Sequence, residues 1–362
     1  MPQPYNRHER VAASLVPQDA SLEIAITHME NEAALIVDDA SRLVGMLTDG
    51  DLRRAFLKGA SLQTSVHEIM SKNPITVSEN TNQKAMYALM QSKQIRQLPV
   101  VDDEQRPVGL ELLKDSYNHL HSEAVIMAGG KGSRLRPLTE HIPKPLLDFG
   151  DSTILETIMD GLKENGIDDI ILTVNYLADK IRSHIGDGSS HDINVSYVEE
   201  EKQLGTAGAL ALIEKRPKDS FLVMNGDLIT DLDFRSLKHF HRESKNDITV
   251  CVRRESFQIP YGVIRLNDDC KSIKELQEKP KENYLVNAGI YMMEPEIIDL
   301  IPKNKFYDMT SLIESCIEQK KTVGAFPILE YWQDIGRHTE MEKAKREWSS
   351  RRRKQGKKKP VY

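Results

Sequence analysis

At 362 residues with 39% hydrophobic content, the chain can bury a substantial core and exceeds one typical domain, so two or more domains are expected. No apolar run approaches the length of a bilayer span and the first twenty residues lack a signal-peptide core, so the expectation is a soluble cytoplasmic protein with no membrane role. Cys251, Cys270 and Cys316 are odd in number and far apart, which argues against a disulfide framework or a zinc site.

In chain order, the first region repeats itself. The stretch "VDDASRLVGMLTDGD" starts at Val37 and "VDDEQRPVGLELLKD" at Val101, a constant offset of 64 residues. Ahead of each block, "SLEIAITHME" and "NQKAMYALMQ" place apolar residues at helical spacing. "AALIV" and "RQLPVV" then predict short buried strands, and the aspartates after them predict turns. Two copies of helix, strand, turn, strand and helix, about 14–60 and 74–119, predict a small α+β module over 1–121 with pseudo-twofold symmetry.

These residues resemble a CBS-domain pair, a ligand-sensing module often fused to enzymes. The segment "GMLTDGDLRR" matches the place where that family holds the ribose of a nucleotide, which implies Thr48 and Asp51 as ligand contacts. A carboxylate can accept hydrogen bonds from both ribose hydroxyls. In the second copy Leu112 replaces the hydroxyl residue, so only Asp115 of the pair survives there. The alternative reading is a packing module with Asp51 as a helix cap.

Residues 122–347 alternate strand-like and helix-like segments: "AVIMA" is apolar, "STILETIMDGLKENG" amphipathic, "DIILTVNY" β-branched, and "FLVMNGD" apolar again. That alternation predicts an α/β domain with a mixed, mostly parallel sheet and ligands beyond the carboxyl ends of the strands. The first strand breaks into "AGGKGSRLRPLTEHIPKP", where bare backbone and two arginines suit a phosphate guest. A dinucleotide fingerprint would need glycine where Leu135 stands, and a Walker loop would need Ser or Thr where Gly132 stands.

The full string is similar to that of the sugar-1-phosphate nucleotidyltransferases, and further elements follow in that family's order: "LGTAGAL" from Leu204, "NGD" from Asn225, "YGV" from Tyr261, "EKP" from Glu278, "NAGIY" from Asn287 and "WQDIG" from Trp332. The resemblance implies a Rossmann-like nucleotidyltransferase fold and a set of roles. Ala128, Gly129, Gly130 and Gly132 would wrap the nucleotide, with Leu204, Gly205, Thr206, Ala207, Asn225 and Gly226 completing its site. Arg134 and Lys144 would serve the phosphates, Asp227 and Asp334 would hold Mg²⁺, and Asp227 alone could instead be a cap or turn residue. Glu278 and Lys279 would hold the sugar phosphate, with Gly262, Asn287 and Gly289 completing that pocket.

A sugar 1-phosphate is already an anionic nucleophile, so catalysis would need alignment and charge neutralisation without a strong base. The "LGTAGAL" variant is similar to that of guanylyltransferases making GDP-mannose or GDP-heptose, which implies GTP, with CTP, UTP or dTTP as alternatives. A CBS pair ahead of such a domain also resembles enzymes that activate glucosamine 1-phosphate for legionaminic acid. A reading from another class is a non-catalytic nucleotide-sensing regulator. The basic run at 351–360 holds seven positive charges; removing them from the net −6 leaves −13 for the remainder. That run predicts a disordered tail over 348–362, and no aromatic residues interleave to suggest RNA. Without the hexapeptide repeats of many relatives, assembly into a homo-oligomer would fall to the CBS pair or the catalytic domain.

Overall fold

The computed structural model describes residues 7–29, 32–93, 95–113 and 122–356. The chain divides into two compact units, 1–118 and 119–362.

The amino-terminal unit is built from the predicted repeat. In the first copy, helix Leu22–Thr27 leads to strand Ala33–Val37, a turn, strand Leu43–Thr48 and helix Asp49–Leu57. The second copy has helix Gln83–Lys93 and strands Gln97–Val101 and Pro107–Leu112. The helix expected after it, with Asp115, lies outside the described residues. The duplication extends to individual bonds. Asp38 Oδ1 accepts the N–H groups of Ala40 and Arg42, and Asp102 Oδ1 accepts those of Glu104 and Arg106. Each aspartate also pairs with the arginine four residues on, at 2.8 Å. Those donors, the backbone N–H of the arginine first, hold both carboxyls below the usual range.

The second unit centres on seven strands, labelled here in chain order: β1 (Glu123–Met127), β2 (Asp169–Val174), β3 (Asn194–Glu199), β4 (Phe221–Asn225), β5 (Ile248–Gln258), β6 (Lys281–Met293) and β7 (Val323–Pro327). Their spatial order is β3-β2-β1-β4-β6-β5-β7. All pairs are parallel except β4–β6 and β6–β5, so the sheet is mixed and mostly parallel. β1 and β4 read as continuous apolar runs because both faces are covered. Helix Ile154–Glu164 starts on a capping box in which Thr153 and Glu156 exchange bonds. It buries Leu155, Ile158, Met159 and Leu162 in the core around the sheet.

Two small sheets stand beside this frame. Leu228–Thr230 pairs antiparallel with Trp332–Asp334, and Val263–Leu266 pairs antiparallel with Ile273–Gln277.

The carboxyl end corrects one expectation. Helix His338–Gly356 continues through 348–356, where the charge run predicts disorder. Trp348 packs on Tyr331, with ring centroids 5.8 Å apart. Arg351 pairs with Asp231 at 2.6 Å and lies 5.1 Å from the Tyr331 ring. These long-range contacts anchor a segment whose local composition only signals solvation. Among the described residues, no helix is long and apolar enough to cross a membrane.

Candidate active site

A cleft of about 310 Å³ opens where β1, β2 and β4 end. It gathers Ala128, Gly129 and Gly130 from the loop after β1, with Arg134 and Lys144 further along. Gly205 and Thr206 come from the "LGTAGAL" segment, and Asn225, Gly226 and Asp227 from the end of β4. The sheet's parallel half thus brings together residues a hundred positions apart, at the strand ends where α/β sheets bind ligands.

Local geometry explains two of the glycines. Gly132 has φ +60°, and a Cβ there would sit 3.0 Å from the Cβ of Lys144. Its bare backbone lets the buried Lys144 stem pass, so Gly132 supports the cleft from behind. Gly205 has φ +83°, with the Tyr307 carbonyl only 2.7 Å from a hypothetical Cβ. Tyr307 O also accepts the N–H groups of Ala207 and Gly208, at 2.9 and 3.0 Å. Leu204 and Ala207 are buried and do not line the cleft; they anchor the loop that does.

The two acids expected to hold a metal are ends of one small ladder. Leu228 pairs with Asp334 in register, and Ile335 N–H donates to the Asp227 carbonyl at 3.0 Å. Asp227 forms an ion pair with Lys144. Asp334 Oδ1 is buried and has no hydrogen-bond partner among the described residues. Burial, and next the negative charge of Asp227, push the Asp334 carboxyl up to about 6, against the opposing pull of Lys144. A desolvated carboxylate with an open oxygen beside a second carboxylate suits a hard divalent cation. Among the described residues no cluster of three or more acidic, His or Cys ligands forms. A cation here would therefore complete its shell with phosphate oxygens and water.

The residues expected around the sugar are placed differently. Gly262 and Glu278 flank the arm formed by 263–277, and the Glu278 and Lys279 side chains are 70% and 58% exposed, 3.9 Å apart. None of Gly262, Glu278 and Lys279 lines the cleft. Asn287 Oδ1 accepts the N–H of Gly289 and the hydroxyl of Tyr291, each at 2.9 Å. Gly289 in turn lies against the Asn225 side chain, which links this pair to the cleft wall.

Glu200, Gln203, Phe306 and Asp308 also line the cleft and belong to none of the motifs. Glu200 is buried, burial raises its carboxyl, and its Oε2 accepts the Leu204 N–H at 2.8 Å. Asp308 Oδ1 accepts the Thr206 N–H at 3.2 Å, while Thr206 Oγ1 accepts the Met309 N–H at 2.8 Å. Asp308 precedes helix Met309–Glu318, a capping position that was the available sequence signal. Phe306 keeps 62% of its surface exposed at the cleft edge.

In the amino-terminal unit, Thr48 and Asp51 are already partners. Asp51 Oδ2 accepts the Thr48 N–H at 2.9 Å and its hydroxyl at 2.7 Å, while Oδ1 accepts from Arg54 and Ser71. Together they form the capping box of helix Asp49–Leu57.

The family model described as "Nucleotidyl transferase" matches residues 123–351. The chain belongs to the nucleotidyl transferase family. Its amino-terminal unit matches the CBS domain model twice, at 14–58 and 66–110, the second copy starting earlier than the repeat alone indicates. Among curated relatives, the nucleotidyl transferase is 34% identical over 234 residues to a UTP--glucose-1-phosphate uridylyltransferase of Synechocystis. It is 32% identical over 226 residues to a mannose-1-phosphate guanyltransferase of Yarrowia lipolytica. Each alignment covers 59% of this chain and 60% of the relative, so the chain spans about three fifths of their length. A Bacillus anthracis chain provisionally assigned as a glucose-1-phosphate thymidylyltransferase, solved with sucrose, shares the fold: TM-score 0.50 and 24% identity, over 62% of this chain and 94% of that one.

Proposed function

We propose that this nucleotidyl transferase condenses GTP with a sugar 1-phosphate, giving a GDP-sugar and pyrophosphate, with Mg²⁺ as the metal. The observation that carries the reading is the approach of Asp227 and Asp334 at one end of a small ladder, where Leu228 pairs with Asp334 and Ile335 N–H donates to the Asp227 carbonyl, with Asp227 paired to Lys144 in the cleft that Arg134 and the glycine loop line. Lys144, buried between Pro143 and Pro145, presents a fixed positive charge to the α-phosphate. Arg134 offers planar donors to the departing pyrophosphate. A phosphate oxygen of the sugar attacks the α-phosphorus as the bond to the bridging oxygen of the β-phosphate breaks, so no proton needs to move. Asp227 and Asp334 would hold the ion, which when bound supplies neutralisation of the triphosphate charge.

Guanine is favoured by Glu200. An ionised carboxylate only accepts hydrogen bonds, and guanine alone among the common bases presents two adjacent donors, N1–H and N2–H₂. Among relatives, guanyl and uridylyl transferases both occur, so the names alone do not choose the base. Glucosamine 1-phosphate is the first sugar to test, with Glu278, Lys279, Asn287, Gly262 and Gly289 as its side of the site. The CBS pair is read as binding an adenine or guanine nucleotide near Thr48 and Asp51, which must displace the bonds these residues now exchange.

The test is pyrophosphate release with Mg²⁺ across GTP, CTP, UTP, dTTP and ATP against glucosamine, mannose, glucose and N-acetylglucosamine 1-phosphates. One dominant GTP cell is expected. A dominant UTP or dTTP cell would overturn the base assignment. A blank grid that stays blank when 1–121 are removed would overturn the activity and favour the sensing-only reading.

A further inference from the structure

The cleft has two chemically distinct walls. Arg134 and Lys144 are the cations that line it among the described residues, and both stand by the two acids. Lys144 pairs with Asp227, and Arg134 Nη1 lies 3.4 Å from where a Cβ of Gly336 would sit, two residues past Asp334. The other wall, formed by Glu200, Gln203, Gly205, Thr206, Phe306 and Asp308, carries two carboxylates and no cation. Its parts are tied together: Glu200 accepts the Leu204 N–H at 2.8 Å, the Leu204 carbonyl accepts the Tyr307 N–H at 2.8 Å, and Asp308 accepts the Thr206 N–H at 3.2 Å. A triphosphate is drawn to the first wall and repelled by the second, so the base of a nucleotide lying along the cleft projects over the second.

Phe306 is the single aromatic side chain lining the cleft among the described residues, and it is mostly exposed. Exposure of one apolar residue is ordinary. Its fixed position is not. On one side, the Tyr307 carbonyl and N–H are both bonded to the "LGTAGAL" segment, at Ala207, Gly208 and Leu204. On the other, the Lys305 carbonyl lies 3.0 Å from the Cβ that Gly208 lacks. Gly205 and Gly208 thus let residues 305–308 dock on the loop, and that docking holds the Phe306 backbone in place before any ligand arrives.

We propose that Phe306 is the platform on which the nucleobase stacks, supplying affinity for the flat face of the base while Glu200 reads its edge. The inference rests on the nucleotide-transfer reading for the direction in which the triphosphate lies. Every base has a π-face, so stacking tolerates any base, and a purine offers more area to it than a pyrimidine. A phosphate gains nothing from the ring, whose face carries the negative part of its quadrupole. A sugar ring also packs on aromatic faces, and the experiment separates that occupant from the base.

The test is calorimetric binding of GTP, ATP and UTP to the full chain without sugar phosphate, for wild type, Phe306→Ala, Phe306→Leu and Phe306→Trp, with melting temperatures recorded for each. Phe306→Ala is expected to weaken GTP and ATP binding about 10–100-fold, and UTP binding less. Phe306→Trp should bind at least as tightly as wild type, Phe306→Leu should not recover the loss, and the KM for the sugar phosphate should stay unchanged. If Phe306→Ala melts lower, the Leu and Trp variants alone decide. Wild-type affinity for every triphosphate in Phe306→Ala, with or without a raised sugar-phosphate KM, would overturn the proposal; so would full recovery by Phe306→Leu, which would make the side chain a space filler. A wild type that binds triphosphate but releases no pyrophosphate with any sugar phosphate would overturn the transfer reading instead, and the same affinities would still decide the stacking.

Discussion

Asp51 and Asp334 are both secluded carboxylates beside the end of a strand, and a family resemblance marks each as a ligand contact. Their surroundings differ. Both Asp51 oxygens are saturated, by Thr48, Arg54 and Ser71. One Asp334 oxygen has no partner among the described residues, and its carboxyl is pushed up to about 6. Local bonding has completed the first residue, while the second is left with an unmet need. An unsatisfied buried acid is costly to the fold, and such a cost marks a place where a ligand completes the structure. The first aspartate stabilises a helix whether or not a nucleotide arrives.

The sharpest way to break this contrast is to neutralise the ladder. Asp227→Asn is expected to lower turnover about a thousandfold while nucleotide binding persists. Turnover within tenfold of wild type would remove the metal role from this pair. Next in size, Glu200→Gln should cut kcat/KM for GTP by about 10–100-fold relative to UTP, since one partial acceptor is replaced by a donor. Equal losses on all bases would make Glu200 a loop anchor, through Leu204, and not a reader of the base.

Asp334→Asn separates activity from stability. Because the folded-state value lies above the ordinary carboxylate value, the native state holds the proton more tightly. Stability from this group is full below the ordinary value and is lost as pH rises through about 6. At pH 7.5 without metal, the variant should therefore be stabler than wild type by on the order of 2 kcal/mol. That gap should shrink toward pH 4.5 in thermal melts, and Mg²⁺ should raise the wild-type melting temperature alone. A variant that melts lower at every pH would contradict the reading of Asp334 as an unmet acid. The smallest effect concerns the other aspartate's cap: Thr48→Val should cost the amino-terminal unit about 1 kcal/mol and leave ligand-free turnover unchanged.

Much of this contrast could be read before any coordinates. The glycine loop, the "LGTAGAL" segment and "NGD" follow ordinary backbone needs at strand ends, and Gly129, Gly130, Gly205, Thr206, Asn225, Gly226 and Asp227 from them line one cleft. The duplicated turns at Asp38 and Asp102 were legible because a turn's bonds are local. Glu200 was hidden within "EEE", where three identical acids differ only in what folds over them. Its burial depends on a backbone bond to Val174 and on the loop it anchors. The end of the last helix was misjudged for the same reason: Trp348 and Arg351 find Tyr331 and Asp231 more than a dozen residues away in sequence. The exposed placement of Glu278 and Lys279 on the arm's root also follows from tertiary arrangement and has no local signal.

The ladder that joins residues 228–230 to 332–334 also has a consequence for biosynthesis. Domains fold as the chain emerges, amino-terminal parts first. A nascent chain can seat Lys144 against Asp227 once β4 has been made, but it lacks the second acid until residue 334 leaves the ribosome. On the proposed reading, a chain that stops short of residue 334 holds only one of the two carboxylates assigned to the ion.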